Sequence, residues 1–322
     1  MDLNNTPGSE PFSVDGKTAI VTGAGSGINF VFAKILVSLN CNVVLADLAL
    51  RPEAAEFVSR HGNNANGARA VFIETNITKW TEITRMFAFT LSQFGDFDIL
   101  CPGAGVYEPH WSSFWHPPGS AESKDDPDGD RYALLDINLT HPIRATQLAM
   151  SHWLHPRATT NSKFPTPEPV SIQNPKRVIH ISSVAGQLPV FRAPIYGATK
   201  HAISGFVRCL APVESLGIVV TAVAPGVVKT PLWTDHPEKL VNVDEGQDAW
   251  VTPEEVAEAM LRCIERERGG TILEVASRSV RSVKATNDPG PDLDPKRGLA
   301  TSNSDKGNSM VWEWLQDPKC WG

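Results

Sequence analysis

The sequence predicts an α/β protein built as a doubly wound parallel sheet, one domain with a C-terminal extension. Three observations carry that prediction. β-prone runs alternate with helix-length apolar patterns from Thr18 to Val275, the pattern of a parallel sheet covered on both faces. The first run is followed by closely spaced glycines and then a helical pattern. Small residues and acids recur where strands end, which is where ligands sit in such sheets. With 322 residues, 41% hydrophobic and 20% charged, the chain is long enough for one large domain.

In order, Thr18 to Thr22 is the first strand, and Gly23, Gly25, Ser26 and Gly27 form the turn after it. Ile28, Val31, Phe32, Ile35, Leu36 and Leu39 then mark a helix. Such a turn lets a backbone pass close to a pyrophosphate and points helix N–H groups at it. The second strand, Asn42 to Asp47, ends in an acid about twenty residues past the glycines, placed to accept from the ribose hydroxyls of an adenosine. Asp47 repels a 2′-phosphate and Leu48 brings no positive charge, so the pattern favours NAD over NADP. A helix over Pro52 to His61, a strand over Ala70 to Glu74 with Asn76 and Ile77 after it, a helix over Trp80 to Phe94 and a strand over Phe97 to Cys101 follow. Gly103, Ala104 and Gly105 form a second small-residue turn.

Residues 110–131 break the alternation with Trp111, Trp115, prolines and aspartates, and read as an insertion. A long helix is expected over Tyr132 to Leu154 with Asn138, a poor interior helix residue, inside it. A second insertion, 157–176, precedes the strand Arg177 to Ile181, which Ser182 and Ser183 end. Thirteen residues after Ser183, Tyr196 opens a helix that also carries Lys200 and runs to about Leu216. Four residues apart, the two side chains share one helix face, and an ammonium beside a phenol favours the phenolate. The strand Gly217 to Ala224 stops at Pro225-Gly226, with Val228 and Thr230 beyond. Thr252-Pro-Glu-Glu255 is a helix start with a capping box, and the strand Thr271 to Val275 closes the alternation. The pattern stops near Ser277. Residues 287–309, rich in Pro, Gly, Asp and Ser, read as extended or disordered, and the tryptophans near the C-terminus (Trp312, Trp314, Trp321) as a segment that docks on the body or on another subunit.

A net charge of −7 with no basic block lacks the footprint of a nucleic-acid binder. No apolar run is long enough for a bilayer and the N-terminal residues lack a signal-peptide core. Five scattered cysteines form no paired motif, which fits reduced thiols in a cytoplasmic protein. His152 and His155 have no partner at ligand spacing, so no metal site is expected.

Together, Thr22 to Ile28, Asp47, Gly103-Ala-Gly105, Asn138, Ser183, Tyr196 with Lys200, and Pro225 to Thr230 resemble the short-chain dehydrogenases/reductases over about Val14 to Val275. Within that family, Ser182 to Val190 and Pro194 to His201 are similar to the NAD-dependent, prostaglandin-oxidising branch. The chain also looks like fungal dehydrogenases of specialised metabolism. The resemblance implies a Rossmann fold over 14–277, after a leader over 1–13 and before an extension over 278–322. It implies a catalytic set of Asn138, Ser183, Tyr196 and Lys200. Tyr196 would move the proton, Ser183 hold the substrate oxygen, Lys200 lower the tyrosine pKa and hold the nicotinamide ribose, and Asn138 bend its helix and hold a relay water. A homodimer or homotetramer is implied as well, with a small-molecule substrate and neither nucleic acid nor membrane as partner. The tryptophans of 110–131 and 227–251 suggest a bulky apolar or polycyclic secondary alcohol or ketone. A redox-neutral step, or a non-catalytic binding role, are the rival readings.

Five positions depart from the family. Asn29 stands where a third glycine is usual. Pro102 and Gly103 stand where two asparagines are usual. Asn76 replaces an Asp. Ala193 replaces the glutamine of the prostaglandin-oxidising branch three residues before the tyrosine, which argues against transferring that substrate.

Overall fold

A computed structural model of the chain describes residues 11–64, 67–157, 163–235, 249–284 and 312–317. The alternation read from the sequence is present as β1 (Thr18–Thr22), α1 (Gly27–Ser38), β2 (Asn42–Asp47), α2 (Pro52–His61), β3 (Ala70–Glu74), α3 (Trp80–Phe94) and β4 (Ile99–Cys101). It continues through α4 (Ala133–Leu135), a π turn (Asp136–Thr140), α5 (His141–Leu154), β5 (Lys176–Ile181), α6 (Pro194–Cys209), β6 (Ile218–Pro225), α7 (Pro231–Thr234), α8 (Pro253–Arg266), β7 (Ile272–Ala276) and β8 (Ser279–Ser282).

The strands form one sheet in the order β3-β2-β1-β4-β5-β6-β7-β8. β1 to β7 run parallel, and β8 returns antiparallel on β7. The order reverses between β1 and β4, and that reversal opens the crevice in which such sheets bind ligands. Continuous runs such as Ile218 to Pro225 are buried along their whole length, as a strand with both faces covered requires. One face packs against α1 and α8 through Phe32, Leu36, Val256 and Met260. The other carries Met86, Ala145, Trp153, Ile203 and Val207, from α3, α5 and α6. α8 begins as the sequence indicates, with the Thr252 hydroxyl accepting from Glu255 N–H and the Glu255 carboxylate accepting from Thr252 N–H.

Several boundaries differ from the sequence reading, each for a local reason. The long helix before β5 is interrupted by the π turn that contains Asn138, the kind of insertion often found at functional sites. β4 stops at Cys101 because the next residue, Pro102, has no N–H to give the ladder. The helix of Tyr196 ends at Cys209, and Ala211–Leu216 is a separate 3-10 turn. Phe12 is buried in the core and its N–H donates to Glu265 O at 2.9 Å, so packing begins before Val14. The sheet also continues past Ser277, because the two-residue turn Ser277-Arg278 folds β8 back on β7.

At the amino edge of the sheet, the buried Lys176 ammonium bonds Asp96 and Asp98, each at 2.9 Å. His152 adds a bond to Asp96 at 2.9 Å. His155 Nε2 lies 3.0 Å from Leu315 O, and Leu315 is buried against the core with Trp312 packed beside it. The C-terminal residues 312–317 therefore dock on their own body. The readings of residues 1–10, 158–162, 236–248, 285–311 and Trp321 fall outside the described residues, and the Trp233 side chain is likewise not described.

Candidate active site

The site grows out of the carboxyl ends of β1, β2, β4, β5 and β6. A cavity of about 820 Å³ opens there. It is lined by Gly23, Ser26, Gly27, Ile28, Asp47, Asn76, Ile77, Gly103, Ala104, Gly105, Ser183, Tyr196, Lys200, Pro225, Gly226, Val228 and Thr230. Two residues singled out in the sequence stand behind this wall, Gly25 and Asn138, and each holds part of it.

At one end, Asp47 accepts from Gly25 N–H at 2.8 Å and from Leu48 N–H at 2.7 Å. A Cβ on residue 25 would lie 2.8 Å from Asp47 Oδ2, so only glycine allows this approach. Burial raises the Asp47 pKa, and the three backbone N–H groups of Gly25, Leu48 and Ala49 oppose the rise. Asn76 uses its Oδ1 on Thr78 at 3.0 and 2.7 Å, and its NH₂ group donates to no described residue. Arg51, the cation nearest in sequence to Asp47, is paired with Asp235.

In the middle, Ala104 N–H donates to Thr22 Oγ1 at 3.1 Å, and that hydroxyl lies 3.2 Å from His141 Nε2. Burial pushes the His141 imidazole down to about 4. It is therefore neutral, with Nε2 accepting from Thr22 and Nδ1–H directed at Ile137 O, 3.3 Å away. Asn138 spends its side chain on Val106. Its Nδ2 donates to Val106 O at 2.8 Å and its Oδ1 accepts from Val106 N–H at 2.9 Å. This two-way clamp fixes the segment that follows Gly105 against the π turn.

At the other end stand Ser183, Tyr196 and Lys200. The Ser183 hydroxyl caps a 3-10 turn by accepting from Ala185 N–H at 3.1 Å and donates to Pro225 O at 3.4 Å, with the Tyr196 side chain beside it. The Tyr196 ring packs on Tyr107, with centroids 4.8 Å apart. Burial pushes the phenol up to about 12; the neighbouring Tyr107 adds to the rise and the Ser183 hydrogen bond opposes it. The buried Lys200 ammonium lies 5.4 Å from the Tyr196 ring centroid and donates to Ile181 O at 2.9 Å. Burial depresses its pKa to about 8. Protein groups alone thus hold the phenol protonated; the lowering expected from the sequence involves the nicotinamide's positive charge as well as Lys200.

Sequence reasoning missed Glu108. It is buried, its Oε2 accepts from Tyr196 N–H at 2.9 Å, and its Oε1 accepts from Phe114 N–H at 2.9 Å and from the Ser113 hydroxyl at 3.1 Å. A carboxylate from the loop after β4 therefore caps the first turn of the tyrosine helix. The sequence reading also missed the cluster of His110, His116 and Glu122, in which His110 Nδ1 lies 2.7 Å from Glu122 and the two imidazoles stack. Of the two roles open to the aromatics of 110–131, lining a cleft or packing the loop down, Trp115 takes the second; the Trp233 side chain lies outside the described residues. Among the described residues, none of 110–131 lines the cavity. The apolar lining comes from Tyr107, Leu188, Val190, Phe191 and Leu232. Trp115 stands behind Phe191, with its indole N–H donating to Phe191 O at 3.0 Å.

A model of the "short chain dehydrogenase" family matches residues 17–240. The chain is 29% identical over 226 residues to 15-hydroxyprostaglandin dehydrogenase [NAD(+)] of Rattus norvegicus, covering 68% of this chain and 71% of that protein. It is 30% identical over 227 residues to the hydroxynaphthalene reductase-like protein Arp2 of Metarhizium majus, covering 69% and 72%. Among solved structures, a dehydrogenase/reductase from Sinorhizobium meliloti aligns with a TM-score of 0.61 at 25% identity, over 82% of this chain and 94% of that one. A 3-ketoacyl-(acyl-carrier-protein) reductase from Brucella melitensis complexed with NADH aligns with a TM-score of 0.61 at 24% identity, over 82% and 98%.

Proposed function

The chain belongs to the short chain dehydrogenase family, whose members are NAD(P)-dependent oxidoreductases acting on CH–OH groups, and on that premise we propose that it interconverts a bulky apolar secondary alcohol and its ketone using NAD. The observation that carries the reading is a single cavity with Asp47 at one end and Ser183, Tyr196 and Lys200 together at the other.

The residues fit a dinucleotide. Gly25 lets Asp47 stand against the glycine turn, where a carboxylate takes ribose hydroxyls and repels a 2′-phosphate, and Arg51 is already paired. This supports NAD over NADP. When bound, the nicotinamide supplies the hydride acceptor or donor for the carbinol carbon. The protein's own part is positional and electrostatic. Ser183 holds the substrate oxygen beside the Tyr196 hydroxyl. Tyr196, a protonated phenol at about 12, gives its proton to that oxygen during reduction. In the oxidative direction it must accept one, and bringing it from about 12 to 7 takes roughly 7 kcal/mol. Lys200 is the buried cation within reach of that task. Asn138 holds the wall by gripping Val106, so a relay water would be held by the backbone of the π turn rather than by its amide.

The substrate class follows from the mouth of the cavity. Leu188 and Phe191 are exposed there, Phe191 at 83%, and Trp115 and Phe114 extend the apolar surface outward. Contiguous exposed apolar groups at a cavity mouth mark a binding surface. A role in specialised metabolism is in keeping with such a substrate. Association of copies through the helices after Tyr132 and Tyr196 completes the proposal; Ile143 of α5 is exposed on that side. Among the described residues, no helix is long and apolar enough to cross a membrane.

The test is NADH-linked turnover across secondary alcohols and ketones graded from small and polar to polycyclic. Tyr196→Phe should bind NAD⁺ as the parent does and lose turnover about 10²–10⁴-fold. Turnover confined to small polar alcohols would remove the substrate class. No change in NADH with any compound that the protein transforms would replace the redox reading with an isomerisation.

A further inference from the structure

Asn29 is the third residue of α1 and replaces the glycine that the family uses to bring this helix close to the strand ends. It is 7% exposed and lines the dinucleotide end of the cavity. Its amide lies between two glycines. Nδ2 is 3.0 Å from the place a Cβ on Gly23 would take. Nδ2 and Cγ are each 2.8 Å from the place a Cβ on Gly103 would take, with Oδ1 closer still. Any side chain at 103 would have to push the amide aside. The close approach usually permitted by a glycine on the helix is here permitted by a glycine at the end of β4.

The Cys101 thiol lies 3.8 Å from Asn29 Oδ1 and, with the amide in this orientation, donates to it. That directs the two Nδ2 hydrogens the other way. They donate to no described residue, and although the residue is 7% exposed, Nδ2 is not among the sealed-off atoms that lack a partner, so it faces the cavity, where an arriving acceptor can take its hydrogens.

We propose that Asn29 is a dinucleotide-binding residue, its Nδ2 donating to an oxygen of the ribose–phosphate backbone, and that Gly103 is the residue that makes room for it. The inference rests on the dinucleotide reading above and adds a donor to that site. The neighbouring surface suits the ligand, since Gly23, Ser26, Gly27 and the start of α1 present backbone N–H groups and the positive end of the helix.

The experiment is calorimetric titration of the full-length protein with NAD⁺ and with ADP-ribose, for the parent, N29A, N29D, G103A and N29A/G103A. Unfolding midpoints are measured on the same samples without ligand. N29A should weaken both ligands about 5–20-fold. N29D, nearly the same shape but unable to donate and repelling phosphate, should weaken both by about 100-fold or more with its midpoint within a few degrees of the parent's. G103A should match N29A by displacing the amide, and the double variant should be no weaker than either single one. If G103A does not fold, the two Asn29 variants decide alone. N29D binding as tightly as the parent overturns the proposal, as do losses that add in the double variant. A parent that binds neither NAD⁺, NADP⁺ nor ADP-ribose takes down the dinucleotide reading and this inference with it. A parent that binds while N29A and N29D behave like it removes this inference alone.

Discussion

Lys200 is charged, 7% exposed and bonded through its ammonium to one carbonyl, Ile181 O. Its pKa falls from 10.5 to about 8 because burial disfavours the charge. At pH 7 both folded and unfolded chains carry the proton, and the depression of about 2.5 units makes the charge cost the fold roughly 3.4 kcal/mol. Replacing Lys200 with Met keeps an unbranched chain, removes that cost, and leaves Ile181 O without its donor, a loss of about 1–3 kcal/mol. The variant should therefore be more stable than the parent at pH 7, by about 1 kcal/mol, while losing turnover. The sign reverses with alkali. Between pH 8 and 10.5 the unfolded chain binds a proton that the folded chain does not, so the parent gains stability as pH rises through this window. By pH 10 it has recovered about 2.5 kcal/mol, and the variant becomes the weaker of the two. The buried thiols of Cys41, Cys101 and Cys263, whose pKa values burial raises, pull both proteins the other way and cancel in the difference. The assay is urea unfolding of both proteins, without nucleotide, at pH 7, 8.5 and 10. A stability difference that stays flat across these three pH values would refute the reasoning.

On the proposed NAD reading, Asp47→Ser should shift the kcat/KM ratio of NAD⁺ to NADP⁺ toward NADP⁺ by about 10–100-fold, because it removes the carboxylate proposed to repel a 2′-phosphate; steady-state kinetics with both cofactors check it, and an unchanged ratio would place discrimination elsewhere. Glu108→Ala leaves Tyr196 N–H, Phe114 N–H and the Ser113 hydroxyl without their acceptor. It should cost about 2–4 kcal/mol and lower kcat, with Glu108→Gln recovering part of both; a silent Glu108→Ala in urea unfolding and turnover would contradict the capping role. Burial holds His141 and His180 down to about 4 and about 3. From pH 6.5 downward the unfolded chain therefore takes up protons that the folded chain refuses, and stability falls. Near pH 5 the slope should approach about 2.7 kcal/mol per pH unit, the value for two protons. Unfolding midpoints that stay level between pH 6.5 and 5 would show that these imidazoles are not held neutral.

What the sequence could disclose was local. β-branched runs, the capping box at Thr252, the four-residue spacing of Tyr196 and Lys200, and the distance from the glycine turn to Asp47 all depend on neighbours within a turn or a strand. Their physics is therefore present in the linear order. Asn138 is a misfit in a helix by residue type alone, and the misfit coincides with the π turn. Glu108 left no such mark. It sits between Tyr107 and Pro109 with no period around it, and its main partner is 88 residues away. The β7–β8 turn passed unseen because Arg278, not a glycine or asparagine, takes the positive φ of 60°. For Trp111 and Trp115, composition says that a large ring is present without saying which way it faces. Whether Lys200 reaches the phenol depends on Ile181 O, a backbone atom that no residue type reveals.

The Asn29–Gly103 arrangement also bears on how such a chain can change by single substitutions. The family's usual layout puts the small residue on the helix and an amide at the strand end, whereas this chain has the reverse. Of the two intermediates between these layouts, one has amides at both positions and overfills the space between Gly23 and the end of β4. The other has glycine at both and merely leaves a hole open to the cavity, where water can enter. The exchange is therefore directional. Residue 103 must lose its side chain before residue 29 gains one, and once both have changed, the way back begins at the helix.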